Sequence, residues 1–281
     1  MGQHAAFLSW EIALQLAALL GAGIGSGLLA GLFGVGGGSI VVTALYHAFA
    51  LADVPESLRM QLSFGTAFAI MVPTSAVSFV GHLRRGSADR EVARNWIVPV
   101  AIGMSIGSIV AARMNSVSLQ LLFVVLVVLN AVKLLTGWPE WKSLRESPSA
   151  TALRTSGFVI GLLSAMIGIG GGIFGNFFLT AYGRTIRQAI GTTASLGAII
   201  SVVGTLNYAI LGIHASSTPA GTIGFVSLLA FAIVAPVAAA TAPLGVRLAH
   251  HFTLRQLRVL FSLFLLVVAA RFAFIVAQGL F

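Results

Sequence analysis

The stretch GLLAGLFGVGGG, residues 27–38, decides how this chain is read. Glycine fills six of its twelve positions, and three stand together at Gly36, Gly37 and Gly38. An apolar run from about residue 11 to 33 leads into it. Glycine weakens a helix and reaches positive φ freely, so the triplet reads as a break inside that run. A second copy, GLLSAMIGIGGG at residues 161–172, matches the first at seven of twelve positions. The offset is 134 residues, close to half the chain. Two further landmarks recur in the same order: SFGTA (63–67) with AIGTTA (189–194), and VAARM before SLQLLF with LGVRL before TLRQLRVLF. Three ordered matches indicate an internal duplication.

The composition says what solvent surrounds this repeat. Of 281 residues, 58% are hydrophobic and 8% charged, whereas a soluble domain carries about a quarter charged residues. Such a chain cannot clothe a surface in water. Its apolar runs are continuous and reach the ~20 residues that span a bilayer, which excludes the short alternating strands of a barrel. The net charge of +9 invites a nucleic-acid partner, but the basic residues stand in short loops, as membrane orientation requires. No nucleic-acid partner is expected. The chain has no cysteine, so thiol chemistry and Cys-based metal sites are excluded. Residues 1–10 contain no Lys or Arg, so no cleavable leader is expected.

Each half holds the same parts. The first has segments at about 11–33, 39–51, 58–82, 95–114 and 117–136, and the second at about 155–168, 173–183, 187–212, 222–248 and 254–279. The segments after the breaks have about 12 residues, or ~18 Å of helix, too short for a ~30 Å hydrocarbon core. If the chain crossed straight through each break, the 16 Lys and Arg would divide nine to seven across the membrane. If it turns back, the second half is inverted and thirteen fall on one side. Arg59, Arg113 and Arg271 alone fall on the other. That asymmetry is a positive-inside signal. The expected fold is an all-α polytopic membrane protein of two inverted repeats, five segments each. About ten segments result, and the pairs flanking the breaks are open to being re-entrant half-helices. Residues 1–137 form the first repeat, 138–154 a cytoplasmic linker and 155–281 the second repeat, with both termini extracytoplasmic in the cytoplasmic (inner) membrane. Inverted repeats characterise transporters whose site lies at the midplane.

A turn inside the membrane must line a cavity or be buried in protein, because lipid satisfies no backbone polar group. The short helix that follows presents N–H groups and a positive dipole end, and so can hold an anion without a formal cation. The candidate substrate residues are therefore Gly36, Gly37, Gly38 and Ser39 with Gly170, Gly171, Gly172 and Asn176. Ser63, Gly65 and Thr66 join them, as do Gly191, Thr192, Thr193 and Asn207. The glycines at 23, 27 and 31, and at 103 and 107, read instead as helix-packing positions. No strand precedes Gly34-x-Gly36, so it is no dinucleotide loop. No carboxylate lies deep in a span, where a cation path or proton relay needs one. No catalytic set or metalloprotease motif is present, so neither an enzyme nor a metal or cofactor is expected.

The doubled motifs GLFGVGGG and AMIGIGGG, the pair SFGTA and AIGTTASLG, and GHLRRGSAD at residues 81–89 resemble the sulfite exporter TauE/SafE family of permeases. The resemblance runs from about Leu20 to the C-terminus. It implies export of a sulfur-containing anion such as sulfite, sulfoacetate or another organosulfonate. The residues by themselves leave a carboxylate carrier or a passive anion channel open. They also leave open the oligomeric state, a homodimer included. SFGTA is less polar than AIGTTASLG, so the two half-sites are expected to be unequal.

Overall fold

The computed structural model describes residues 2–33, 37–84, 89–136, 148–184, 186–215, 218–248 and 253–280. Gly36 and most of the expected linker, residues 138–147, lie outside them. The described residues form ten helices: α1 (Gly2–Phe33), α2 (Gly38–Leu51), α3 (Glu56–Arg84), α4 (Arg90–Arg113) and α5 (Ser116–Thr136), then α6 (Ala150–Ile167), α7 (Gly172–Ala181), α8 (Ile186–Leu211), α9 (Leu228–Leu248) and α10 (Leu254–Leu280). Five of them (α3, α4, α6, α8 and α9) are long and apolar enough to cross a membrane, and shorter apolar stretches lie in α1, α2, α5 and α10. Pro73, Pro99, Pro236 and Pro243 sit inside these helices, as membrane helices tolerate.

Four elements differ from their expected bounds: α1 begins at Gly2 rather than near residue 11, α4 at Arg90 rather than near 95, and α6 and α9 are also displaced. Helix α6 begins at Ala150, inside the expected linker, where the Ser149 hydroxyl accepts the Ala152 N–H and caps it. The segment expected over 222–248 is not one helix. Residues 222–227 form a small hairpin, Thr222 pairing with Ser227 and Ile223 with Val226, and α9 starts only at Leu228. Gly221 and Gly224 hold positive φ there, and apolar composition alone does not reveal so tight a turn.

The glycine breaks reverse the chain. Gly25 of α1 faces Ile40 of α2, and Ser26 faces Gly37, so α2 runs back along α1. Gly171 likewise returns to Ile160 and Ser164 of α6. The halves then interlock. Helix α1 packs on α9 as α6 packs on α4; α3 packs on α9 as α8 packs on α4; α3 crosses α8, and α5 crosses α10. Exchanging the two sets of five helices returns these pairs, whereas the contacts of α5 with α3 and α6 have no equally extensive counterpart among the described residues.

Small residues set the two tightest seams. A Cβ on Gly27 or Gly31 would overlap the Ala238 or Ala242 carbonyl of α9, and Gly245 is equally close to Leu28 of α1. At the other seam Gly103 abuts the Phe158 carbonyl, Gly107 that of Leu162, and Gly161 that of Val100. These are the packing positions expected of spaced glycines. Large apolar side chains face outward, among them Val98, Ile102, Leu206, Ile210, Val267 and Phe274, where hydrocarbon is their natural solvent.

Candidate functional site

The first turn is built on a left-handed residue. Gly37 has φ 65° and stands at the N-cap of α2. Its α-carbon lies so close to Ser26 that any side chain would overlap that residue's carbonyl and hydroxyl oxygens. Gly168, with φ 67°, ends α6, and Gly171, with φ 69°, stands at the N-cap of α7. No side chain caps α2 or α7, so the positive ends of both helices are left to backbone and to whatever binds there.

The two turns meet each other. A Cβ on Gly38 would overlap the Gly168 carbonyl and lie 3.2 Å from the Ile169 α-carbon and 3.0 Å from Met71 Sδ. Helices α3 and α8 carry this junction between them in opposite directions, with Gly65 near Tyr208, Phe68 near Gly204 and Ser75 near Gly197. From Gly197, a Cβ would lie 3.2 Å from Ser75 Oγ and 3.9 Å from the Gly170 carbonyl. One from Gly171 would lie 3.1 Å from Ser164 Oγ. No Lys or Arg side chain stands among these neighbours of Gly37, Gly38, Gly168, Gly171 and Gly197.

Three buried hydroxyls neighbour the turns: Ser26 at Gly37, Ser164 at Gly171, and Ser75 at Gly197, which faces Gly170. Ser26, Ser75 and Ser164 are 0%, 3% and 0% exposed, and none of their Oγ atoms has a hydrogen-bond partner among the described residues. Leaving a buried hydroxyl unmatched costs roughly 1–3 kcal/mol, so three beside the turns call for an explanation. Sequence reasoning did not single them out. A lone serine in an apolar helix ordinarily bonds its own preceding turn, and no local pattern marks one that does not.

The other sequence candidates divide into those at the turns and those elsewhere. Gly37, Gly38, Ser39, Gly170, Gly171 and Gly172 are all buried at the junction or in the first turn of its helices. Asn176 lies one turn further along α7, and its Oδ1 accepts the Thr193 hydroxyl at 2.7 Å, tying α7 to α8. Ser63 donates to the Arg59 carbonyl within its own helix. Asn207 donates to Ser105 Oγ at 3.3 Å, between α8 and α4. Gly191 is buried within α8, and Gly65 lets the Phe225 carbonyl approach α3. Thr66 Oγ1 accepts the Ser227 N–H at 2.9 Å, and Thr192 Oγ1 accepts the Asp89 N–H at 2.9 Å. Both threonines thus hold backbone from the opposite half of the chain.

The profile of the sulfite exporter TauE/SafE family matches residues 19–272, a span that includes both glycine turns and every helix between them. The chain belongs to the sulfite exporter TauE/SafE family. A probable membrane transporter protein of Haemophilus influenzae is 32% identical over 244 residues, covering 87% of this chain and 92% of that one. A probable membrane transporter protein of Methanocaldococcus jannaschii is 24% identical over 262 residues, 91% and 94% of the two chains. No solved structure matches. As a TauE/SafE protein with five spanning-length apolar helices and further apolar stretches, the chain is a multi-pass membrane protein of a transporter family.

Proposed function

We propose that this chain exports a small sulfur-containing anion, such as sulfite, sulfoacetate or another organosulfonate, across the cytoplasmic membrane. It does so by alternating access around a site at the junction of the two glycine turns. One observation carries the reading: two left-handed turns abut, each opening a helix without a side-chain cap, and three unpartnered buried hydroxyls surround them. Helix N-termini and hydroxyls are donors suited to an oxyanion, and each net hydrogen bond to a charged group is worth roughly 1.5–3 kcal/mol. Several together offset a large part of the anion's desolvation. In this reading the donors are the backbone around Gly37–Ser39 and Gly170–Gly172 with Ser26, Ser75 and Ser164. Asn176, Thr193, Ser63, Gly65, Gly191 and Asn207 hold the helices that carry them.

The repeats, 1–137 and 155–281, are read as inverted about the linker 138–154. The antiparallel crossing of α3 and α8 and the exchangeable pattern of helix pairs support this. The charge asymmetry then puts the linker in the cytoplasm and both termini outside. Calorimetry on purified protein with sulfite, sulfoacetate, taurine and sulfate tests the cargo. Saturable binding of at least one sulfur oxyanion is expected, and no heat from any of them overturns the reading. Counterflow in proteoliposomes separates a carrier, which trades label across the membrane, from a channel, which does not.

A further inference from the structure

The paired Gly-Thr motif of the two halves makes one contact twice. Thr66 of α3 receives the N–H of Ser227, whose own hydroxyl accepts the Ala230 N–H and so caps α9. Thr192 of α8 receives the N–H of Asp89, whose carboxylate accepts the Glu91 and Val92 N–H groups and caps α4. In each case a threonine of one half holds the capping residue of the other half's fourth helix. Both threonines are buried, at 0% and 1% exposure.

The two ties stand at opposite ends of the α3–α8 crossing. Phe225, beside Ser227 in the hairpin, donates to the Tyr208 carbonyl, so the Ser227 tie sits at the Tyr208 end of α8. From Thr192 to Tyr208 is ~24 Å of helix rise. Gly197 and Ile200, which face Gly170 and Gly171, lie between. The glycine turns are therefore flanked by one tie on each side. The ends are not chemically equal: at the Asp89 end, Arg184 of the α7–α8 connection also pairs with the carboxylate at 2.9 Å.

We propose that Thr66–Ser227 and Thr192–Asp89 are the two closures of the transport path, each released in turn while the other holds. This rests on placing the anion at the glycine turns. Both are made in this structure, which corresponds to an occluded arrangement. Each tie pins the N-terminal end of a fourth helix to the helix it packs on, α9 to α3 at one end and α4 to α8 at the other, so swinging one of those helix ends away breaks one tie and spares the other. Loss of a single hydrogen bond of about 1 kcal/mol shifts such a balance about fivefold. The threonines then act on which face is open, as positioning residues, rather than by touching the anion.

The cysteine-free chain allows a direct test that needs no substrate. A single reporter, Ser164→Cys or in a second series Ser26→Cys, is labelled in oriented vesicles with a membrane-impermeant thiol reagent added from one face or the other. Thr192→Val should speed labelling about fivefold from the face bearing Asp89 and leave the other face unchanged. Arg184→Gln, on a half-exposed side chain with little bearing on folding, should act in the same direction. Thr66→Val should speed labelling only from the face bearing Ser227, and Thr66→Ser should restore the parent rate. Acceleration from the same face by both valine variants overturns the proposal. Unchanged labelling together with weaker sulfite affinity in both also overturns it, since that is the signature of residues touching the anion. Shifted labelling, when the parent chain with Ser26 and Ser164 intact binds no sulfite, supports the closures and removes sulfite as the cargo.

Discussion

Ser164 is wholly buried, and its hydroxyl meets no partner among the described residues. Removing such a group relieves a desolvation cost in the empty protein. Ser164→Ala should therefore raise the thermal stability of the substrate-free protein by about 1 kcal/mol while weakening sulfite binding about tenfold. Unfolding scans and calorimetry read the two effects separately, and a variant that loses both stability and binding would make the hydroxyl structural. The glycines allow a similar pairing. Gly171 and Gly183 both hold positive φ, at 69° and 75°. Alanine at either position bears ~1–2 kcal/mol of left-handed strain. Only Gly171 also has neighbours in reach, since a Cβ there would lie 2.5 Å from Ile200 and 2.9 Å from Ile160, whereas Gly183 has none within 4 Å. Gly171→Ala should stop transport; Gly183→Ala should lower stability by a similar strain and leave the transport rate intact.

At the scale of the element, α1 and α9 owe their closeness to a column of missing side chains. Gly27 and Gly31 admit the α9 backbone, and Gly245 admits that of α1. Without a hydrophobic drive between helices in lipid, such packing holds the seam. Gly27→Leu should split it and send most of the protein to aggregates in size-exclusion chromatography. Gly21, on the same helix, has nothing within 4 Å. Gly21→Ala should elute as the parent does and gain up to ~1 kcal/mol from helix propensity. The short helices obey a different rule. Helices α2 and α7, of 14 and 10 residues, are too short to span alone and are anchored by the turns that start them. Their length thus follows from where the chain reverses.

For the whole molecule, orientation follows from the loops. Ala52 and Ala220 are exposed beyond α2 and before the hairpin, and Ala150 is exposed at the start of α6. The proposed inverted arrangement would place the first two outside and the third in the cytoplasm. Single cysteines at these positions should label accordingly in intact cells, and Ala52→Cys labelling from the same face as Ala150→Cys would refute the orientation. The proposed closures act at the same scale, because each pins the start of a helix from one half to a helix of the other.

Most of the helical pattern is legible in the sequence, because apolar run length, glycine triplets and capping residues act over a few neighbouring positions. The ten segments, both breaks, the packing glycines of α1 and α4 and the position of the turns belong to that class. The hairpin at 222–227 is hidden because its Ile223, Phe225 and Val226 run on into the apolar stretch of the helix after it. The roles of the hydroxyls are hidden for a different reason. Thr66 and Thr192 sit in a polar motif that reads as a binding site, yet each meets the backbone of a residue more than a hundred positions away. Ser26, Ser75 and Ser164 look like ordinary helix serines, yet they converge on the turns without partners among the described residues. Sequence alone determined which stretches are helical and where both breaks fall, since apolar run length and glycine content act over a few neighbouring residues. What each hydroxyl faces was decided only by the tertiary structure, because a hydrogen bond depends on which distant helix the packing brings opposite.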